Sequence, residues 1–456
     1  MLTDTLWSIV FLFCIGLSLR SPYLALYTLL FADILKPQNL SYSFLAGQSV
    51  SLALTAVLLA SMIINMNKLK RPKVIGVTVV LIMFMAWITY TTTIAQFQGP
   101  AWFKYDYVIK TIAVTLFIPF ILDSRLKIEI VLAAIVCGVA YYILMGGIRT
   151  ALGQASYGTL LVSTAMGDAE ITETSTLSMV AVFTIPILIY FKNHSLFKDR
   201  IPFLKPIIYV MIACCIFTVI GTYARTGLVG LAFLFFLYFM SSKYKIQIAL
   251  AAIILGVSLL LFAPADYTQR MSTLENATEE SSALGRILVW RWTLDYVSER
   301  PITGGGFDSY IANAGQLNRY LESDVSVNLS PNRPKAYHNI FFEILGEQGY
   351  VGLAMYLGLI FSCWNMNRRL KNDNHNEEYL KALAKTLNYV IMIYCLCGLF
   401  IGIAYAPWIF YFIGLSVSLQ NLLTTQKSRY KRSKAFQYAS NSGLRSNGTK
   451  SFEPRA

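Results

Sequence analysis

Charge is what this chain has least of. Charged residues make up 14 % of its 456 residues and hydrophobic ones 56 %, where a soluble protein would carry nearer a quarter charged. That shortage excludes a water-soluble globule of this length. Histidine is almost missing, with three copies, and the seven cysteines lie in or beside apolar stretches without metal-ligand spacing to a histidine. The cysteines therefore read as small hydrophobes, and neither a metal nor another cofactor is expected. The first apolar run, Leu6 to Leu19, has no basic leader and no small-residue cleavage site, so it reads as a retained first helix. No internal repeat is visible, and no nucleic-acid partner is expected.

What the chain does have is a succession of apolar runs of about 17–25 residues, the length a helix needs to cross a bilayer core. Such a chain is an all-α polytopic membrane protein, because helices satisfy every main-chain polar group internally in lipid. The pattern predicts helices near 5–20, 22–36, 44–66, 74–96, 107–122, 128–148, 176–191, 204–223, 226–241, 246–263, 339–362, 387–403 and 406–423. The net charge of +14 falls mainly on every second connection: Lys68–Lys73, Arg125–Lys127, Lys192–Lys205, Lys243–Lys245, Arg368–Lys385 and the tail from Lys427. Lys/Arg-rich short loops stay cytoplasmic, so the remaining loops face the other side. The first two segments are short, which leaves 12 or 13 spans and the side of the amino terminus open. Residues 1–426 form the membrane domain, and the basic, polar tail 427–456 reads as disordered on the cytoplasmic face.

One outer connection is large, residues 264–338. Within it "SSALGRILVWRWTLDYVSERPITGGGFDSY" turns amphipathic: Leu284, Ile287, Leu288, Leu294 and Val297 can share a helical face, while Arg286, Asp295 and Glu299 project elsewhere. Pro301 ends that helix and Gly304–Gly306 make a turn, with Trp290 and Trp292 expected near headgroup level. The loop closes on "AYHNIFFEILGEQGYVGL", where His338, Phe342, Leu345, Gly349 and Gly352 are spaced for one helical stripe. Gly346, Gly349 and Gly352 would let a neighbouring helix approach closely. His338 is the sole imidazole on the outer side, since His194 and His375 fall in inner loops. A histidine at a helix start can be a simple cap or interfacial contact. Here it has cationic company: Arg225 in the tight turn "TYARTGLVG", Arg286, Arg291, and Lys110 in the first turn of the helix expected from 107. Charges beside hydrocarbon usually face a cavity or a partner, and a guanidinium suits bidentate phosphate binding. A histidine with several cations at an outer headgroup layer fits a lipid-linked diphosphate. For Lys110 and Arg291 interfacial snorkelling is an equal alternative. Glu343 and Glu347 would pair with a nearby arginine or hold His338 upright. Asp168, Glu170 and Glu173 in "GDAEITET" lie in another outer loop and lack the histidine or tight aspartate pair of a metal site.

These stretches resemble a known family. "HN" (His338, Asn339), nine residues, Gly349, two residues and Gly352 is similar to the signature of the O-antigen ligase and polymerase superfamily. "ARTG" around Arg225 resembles its arginine turn, with Ala224 where serine is commoner, and the Arg286-to-Tyr310 stretch resembles its loop. "ADILKPQNLSYSF" and "YYILMGGIRT" look most like the subgroup of exosortase-associated O-glycosylation ligases. The resemblance implies a GT-C-like glycosyltransferase of the bacterial inner membrane with its site facing the periplasm. It implies a metal-independent, inverting transfer of a glycan from undecaprenyl diphosphate to a hydroxyl of a protein, a lipid core or a growing glycan. His338 would be the base, and Arg225 and Arg286 would neutralise diphosphate with Lys110 and Arg291 outside them. Asn339, Glu347, Gly349 and Gly352 would support the site. A polymerase extending lipid-linked repeats shares these features. A lipid or glycan transporter would instead show symmetric halves and midplane charges.

Overall fold

The computed structural model describes residues 2–41, 43, 45–73, 75–154, 170–250, 253, 256, 277–320 and 333–446. Among the described residues the secondary structure is helical throughout, with no strand. The helices are α1 (Leu2–Arg20), α2 (Pro22–Leu35), α3 (Val50–Ile64), α4 (Gly76–Thr93), α5 (Gln98–Ile121), α6 (Arg125–Ala151) and α7 (Thr174–His194). They continue with α8 (Leu204–Gly221), α9 (Arg225–Ser241), α10 (Ala277–Ser298), α11 (Ile340–Asn372), α12 (Glu378–Cys397) and α13 (Pro407–Ser446). The helix expected near 246–263 lies largely outside the described residues.

Six of the described helices are long and apolar enough to cross a membrane, and four more are apolar but have only 10–17 residues. The chain is a multi-pass membrane protein. Helix α7 is among the most buried, packed between α8, α12, α9 and α6. Polar side chains tie the bundle together at both ends. Asp33 accepts from Tyr411 at 2.7 Å and from Ser51 at 2.9 Å, joining α2, α3 and α13. Buried Glu129 accepts from Arg125 at 2.8 Å, from Tyr190 at 2.8 Å and from the Leu196 amide at 2.8 Å. A carboxylate in apolar surroundings persists only when paired and hydrogen-bonded in this way.

Several boundaries differ from the sequence reading. Helix α5 begins at Gln98 rather than 107, with Pro100 in its first turn where a missing N–H costs nothing. Helix α11 runs to Asn372 and α12 starts at Glu378, well outside the apolar runs ending at 362 and starting at 387. Hydropathy marks the lipid-embedded part only; past it, Asn367 and Leu370 still face inward, and Asn367 donates to Ser416 at 2.9 Å. Helix α13 continues to Ser446, where an irregular tail was expected from 427. Residues 427–446 contain no proline and one glycine, so nothing local stops the helix.

Helix α11 breaks at Gly349, whose backbone (φ 68, ψ −172) leaves the helical region. The break deprives the carbonyls before it of their intrahelical donors, and a buried carbonyl must find another. The glycine-rich turn supplies them: Gly305 N–H donates to Gly346 at 2.9 Å and Gly306 N–H to Glu347 at 2.9 Å. Trp87 on α4 takes the Gln348 carbonyl at 3.0 Å, and Tyr350 N–H donates to Pro301 at 2.9 Å. At Gly349 the small residue thus admits a loop backbone, while Gly352 faces Trp87 of the neighbouring helix α4 as its spacing suggested. A Cβ on Gly349 would lie 2.3 Å from the Ile302 carbonyl oxygen, on a left-handed residue. We expect Gly349→Ala to cost about 3 kcal/mol or more, read as a lowered melting temperature in detergent. Gly358→Ala, facing open space, should leave the melt within a degree or so of the wild type.

Candidate functional site

The site begins with a strained residue. His338 has a left-handed backbone at φ 47, a conformation that costs a non-glycine roughly 1–2 kcal/mol. It stands just before α11, so it is not part of the helical stripe its spacing suggested. Asn339 follows as the N-cap: its Oδ1 accepts from the amides of Phe341 at 2.8 Å and Phe342 at 3.3 Å. Its Nδ2 donates to the Leu399 carbonyl at 3.2 Å. The amide is thereby engaged with backbone, and Asn339 serves His338 by fixing the chain on either side. Tyr223 (φ 52), two residues before Arg225, and Asp308 (φ 56), beside the glycine turn, are left-handed too. Such strain persists only where surrounding structure enforces it, and it collects at functional sites.

Helix α10 lies against this start. Trp290 donates to the Tyr337 carbonyl at 2.9 Å and stacks on Phe342 with centroids 5.2 Å apart and planes at 6°. Leu288, Val289, Trp292, Leu317 and Tyr337 close a small core of their own, and Trp292 donates to Gln316 at 2.8 Å. Both tryptophans thus serve as packing anchors of α10. The buried face of α10 also differs from the one expected, since Ile287 and Leu294 are exposed while Val289 and Thr293 are buried. One turn before Trp290, Arg286 comes within electrostatic reach of His338. So does Lys335, a residue that sequence reasoning passed over. Its Nζ lies 2.9 Å from where a Cβ on Gly285 would sit, and Asn313 holds its backbone by bonds of 2.9 and 2.7 Å.

Although His338 keeps exposed surface, protein crowds its ring. Lost hydration, then the positive charge of Arg286, hold its pKa below the ordinary histidine value, with Glu173 and Glu343 opposing them. At neutral pH the imidazole is therefore uncharged, the form that can accept a proton. Glu173 belongs to the other outer loop, which the structure brings to the site through the start of α7. Its own carboxylate caps that helix, accepting from Thr176 N–H at 2.6 Å. Asp168 and the Glu170 side chain lie outside the described residues.

Beneath His338 lies a cluster missing from the sequence reading. Lys104 on α5 contacts Glu347 at 2.8 Å, Glu343 at 2.9 Å and Asp308 at 3.5 Å. Its ammonium also lies 5.0 Å from the Tyr405 ring centre. Glu343 accepts from Ala404 N–H at 3.0 Å and Glu347 from Asp308 N–H at 2.9 Å. The glutamates thus pair with a lysine, not with the arginine expected. Lys104 was hidden because its stretch looked like a polar loop before a helix at 107.

The remaining predicted cations stand on α9, α10 and α5. Arg225 opens α9 and is exposed at the same end of the bundle. Its neighbour Thr226 accepts from Cys397 Sγ at 3.7 Å, and the adjoining Gly398 carbonyl takes the Ile340 amide at 2.8 Å. Two contacts thus connect that turn to the His338 helix. Arg291 is exposed, about 140° round α10 from Arg286. Lys110 lies not in a first turn but twelve residues into α5, bonded to Asp106 at 2.6 Å. Gly352 packs against Gln348 and Trp87.

Residues 210–357, spanning Arg225, the α10 anchor, His338 and the glycine break, match the O-antigen ligase family. Over that third of its length the chain is similar to the O-antigen ligase family. Residues 2–196 match a second family described as of unknown function, DUF5935. A "Putative polysaccharide ligase" of Rickettsia bellii is 24 % identical over 245 residues, 53 % of this chain and 54 % of that protein. The chain thus spans about half the length of the curated relative it matches. The part of α5 carrying Lys104 falls in the amino-terminal match, so the buried cluster joins the two matched regions.

Proposed function

We propose that this O-antigen ligase-like protein transfers a glycan from undecaprenyl diphosphate to an acceptor hydroxyl at the periplasmic face of the inner membrane. The observation that carries the reading is the convergence of Arg286 and Lys335 on a neutral, accessible His338, with the Arg225 turn at the same end. In this reaction the acceptor oxygen attacks the anomeric carbon from the face opposite the diphosphate. The carbon–oxygen bond to phosphate breaks, the diphosphate keeps the electron pair, and the acceptor proton passes to the imidazole. Attack from the opposite face inverts the anomeric centre. Diphosphate leaves without a general acid once its charge is offset, an electrostatic task for preorganised cations. Arg286 and Arg225 fill it, with Lys335 beside them. No step calls for a metal.

The experiment is reconstitution with a lipid-linked repeat unit, with and without a protein or lipid-core acceptor. Transfer that needs the added acceptor identifies a ligase. Lengthening on the lipid alone would mean the polymerase, and no consumption of donor would sink both.

The electrostatics around His338 give a further expected result. Removing the Arg286 charge removes a force that disfavours the imidazolium, so the histidine pKa must rise. In Arg286→Gln the acidic limb of the kcat/KM profile should move upward toward about 6.5, and use of donor should fall more than use of acceptor. An acidic limb that stays in place would separate Arg286 from His338.

A further inference from the structure

Arg286, Lys335 and Glu343 act on the His338 ring and lie within the ligase-matched residues 210–357, whereas Glu173, which also acts on it, lies in the amino-terminal match. We propose that Glu173 is a positioning residue of the site, supplying negative charge that steadies the imidazolium formed when His338 takes the acceptor proton. The inference rests on the glycan-transfer reading, and it gives the amino-terminal region a part in the chemistry.

Packing carries Glu173 to the site. It opens α7, whose first turns lie against the Arg225 turn: a Cβ on Gly227 would sit 2.5 Å from the Ser178 Cβ. Three residues on, Gly230 lies against Val182 of α7 and Cys397 of α12. Cys397 Sγ donates to the Thr226 carbonyl, and Ile340 N–H to the Gly398 carbonyl. The outer ends of α7, α9, α12 and α11 thus form one continuous contact, with His338 two residues before Ile340. The carboxylate is also fixed. Its Oε2 accepts from Thr176 N–H at 2.6 Å and its backbone carbonyl from Leu177 N–H at 2.8 Å, while the residue stays exposed.

The charges facing His338 are Arg286 from α10, Lys335 from the loop before it, Glu343 from α11 and Glu173, with exposed Arg225 on the adjoining turn. Arg286 and Lys335 suit a diphosphate but oppose a proton on the ring. That conflict comes to a head when the acceptor proton arrives. Glu343 lies near, since its Oε2 and the His338 amide are each 3.6 Å from where a Cβ on Gly402 would sit. Its charge is already matched, however, by Lys104 at 2.9 Å and by Ala404 N–H at 3.0 Å. Glu173 acts on the ring more strongly than Glu343 does. A fixed carboxylate beside a catalytic imidazole stabilises its protonated form.

The test separates charge from capping. Glu173→Gln keeps an acceptor for Thr176 N–H and removes the charge; Glu173→Asp keeps both. Both variants should melt as wild type does. The full chain in detergent is treated with diethyl pyrocarbonate, which reacts with neutral imidazole, across a pH series. Peptide mass spectrometry follows His338, with His194 and His375 as internal references, and no donor is needed. Losing a negative charge disfavours the imidazolium, so the His338 midpoint should move to lower pH in Glu173→Gln, opposite to Arg286→Gln. The displacement should shrink with added salt and vanish in Glu173→Asp. With a lipid-linked donor, kcat of Glu173→Gln should fall about two- to fivefold, the scale of one exposed charge pair, with KM for donor unchanged and recovery in Glu173→Asp. An unmoved midpoint, or wild-type kcat, in Glu173→Gln would mean that Glu173 only caps α7, and would overturn the proposal. If the midpoint moves but wild-type protein consumes no donor, the transfer reading fails and this role with it, although the coupling of Glu173 to His338 holds.

Discussion

His338→Ala should lose glycan transfer by about 10²–10⁴-fold, the contribution expected of a general base, while the protein inserts and folds as before. The fold should tolerate the change because the ring lies outside the packed core and its backbone, at φ 47, is strained. A sharper version is His338→Gly. Glycine takes a left-handed backbone without penalty, so this variant should melt no lower than wild type and still be inactive. Stability and activity would then move independently at one position. The measurement is transfer from a lipid-linked donor at matched protein, beside a melting curve. Near-normal transfer by either variant would remove the imidazole from the chemistry.

Lys104→Met should be the most destabilising single change near the site, by about 3–5 kcal/mol. Methionine matches the length of the lysine stem but leaves Glu343 and Glu347, 6 % and 0 % exposed, facing each other without a cation. Stripping one partner from a buried ionic group costs more than the group ever contributed, because the remaining charge has no solvent to turn to. Adding Glu347→Gln to Lys104→Met should restore part of the loss, since the second substitution removes one of the stranded charges. Thermal unfolding of the single and double variants decides the matter. Additive destabilisation would mean that Lys104 and Glu347 do not act as a pair.

How far the sequence could lead depended on the kind of signal. Apolar length placed α7 and α8 within a few residues, because the bilayer imposes that length directly. It failed at α5, α11 and α12, which extend beyond lipid as amphipathic or paired helices. His338 drew notice because histidine is rare here and the charge pattern assigns this one to the outer side. Arg286 was legible through its place before the tryptophans of α10. Lys104 and Lys335 were not. Their roles arise from partners 239 residues away for Lys104 and Glu343, and from a loop crossing beside Gly285 for Lys335. Neither leaves a local periodicity. The glycines of α11 were correctly read as places of close approach, but spacing cannot say whether a helix or a turn comes near.

The bond pattern at Gly349 bears on how such a protein is assembled. The donors that complete α11 come from Gly305 and Gly306, in a segment made before that helix. Under the proposed periplasmic placement of the site, that segment must cross the bilayer first. Until it docks, the α11 carbonyls at its break lack these donors, and a buried carbonyl left unmatched is costly. Correct export of the preceding loop is thus written into the completion of the next helix, and a chain threaded the wrong way would be left with a helix that cannot close.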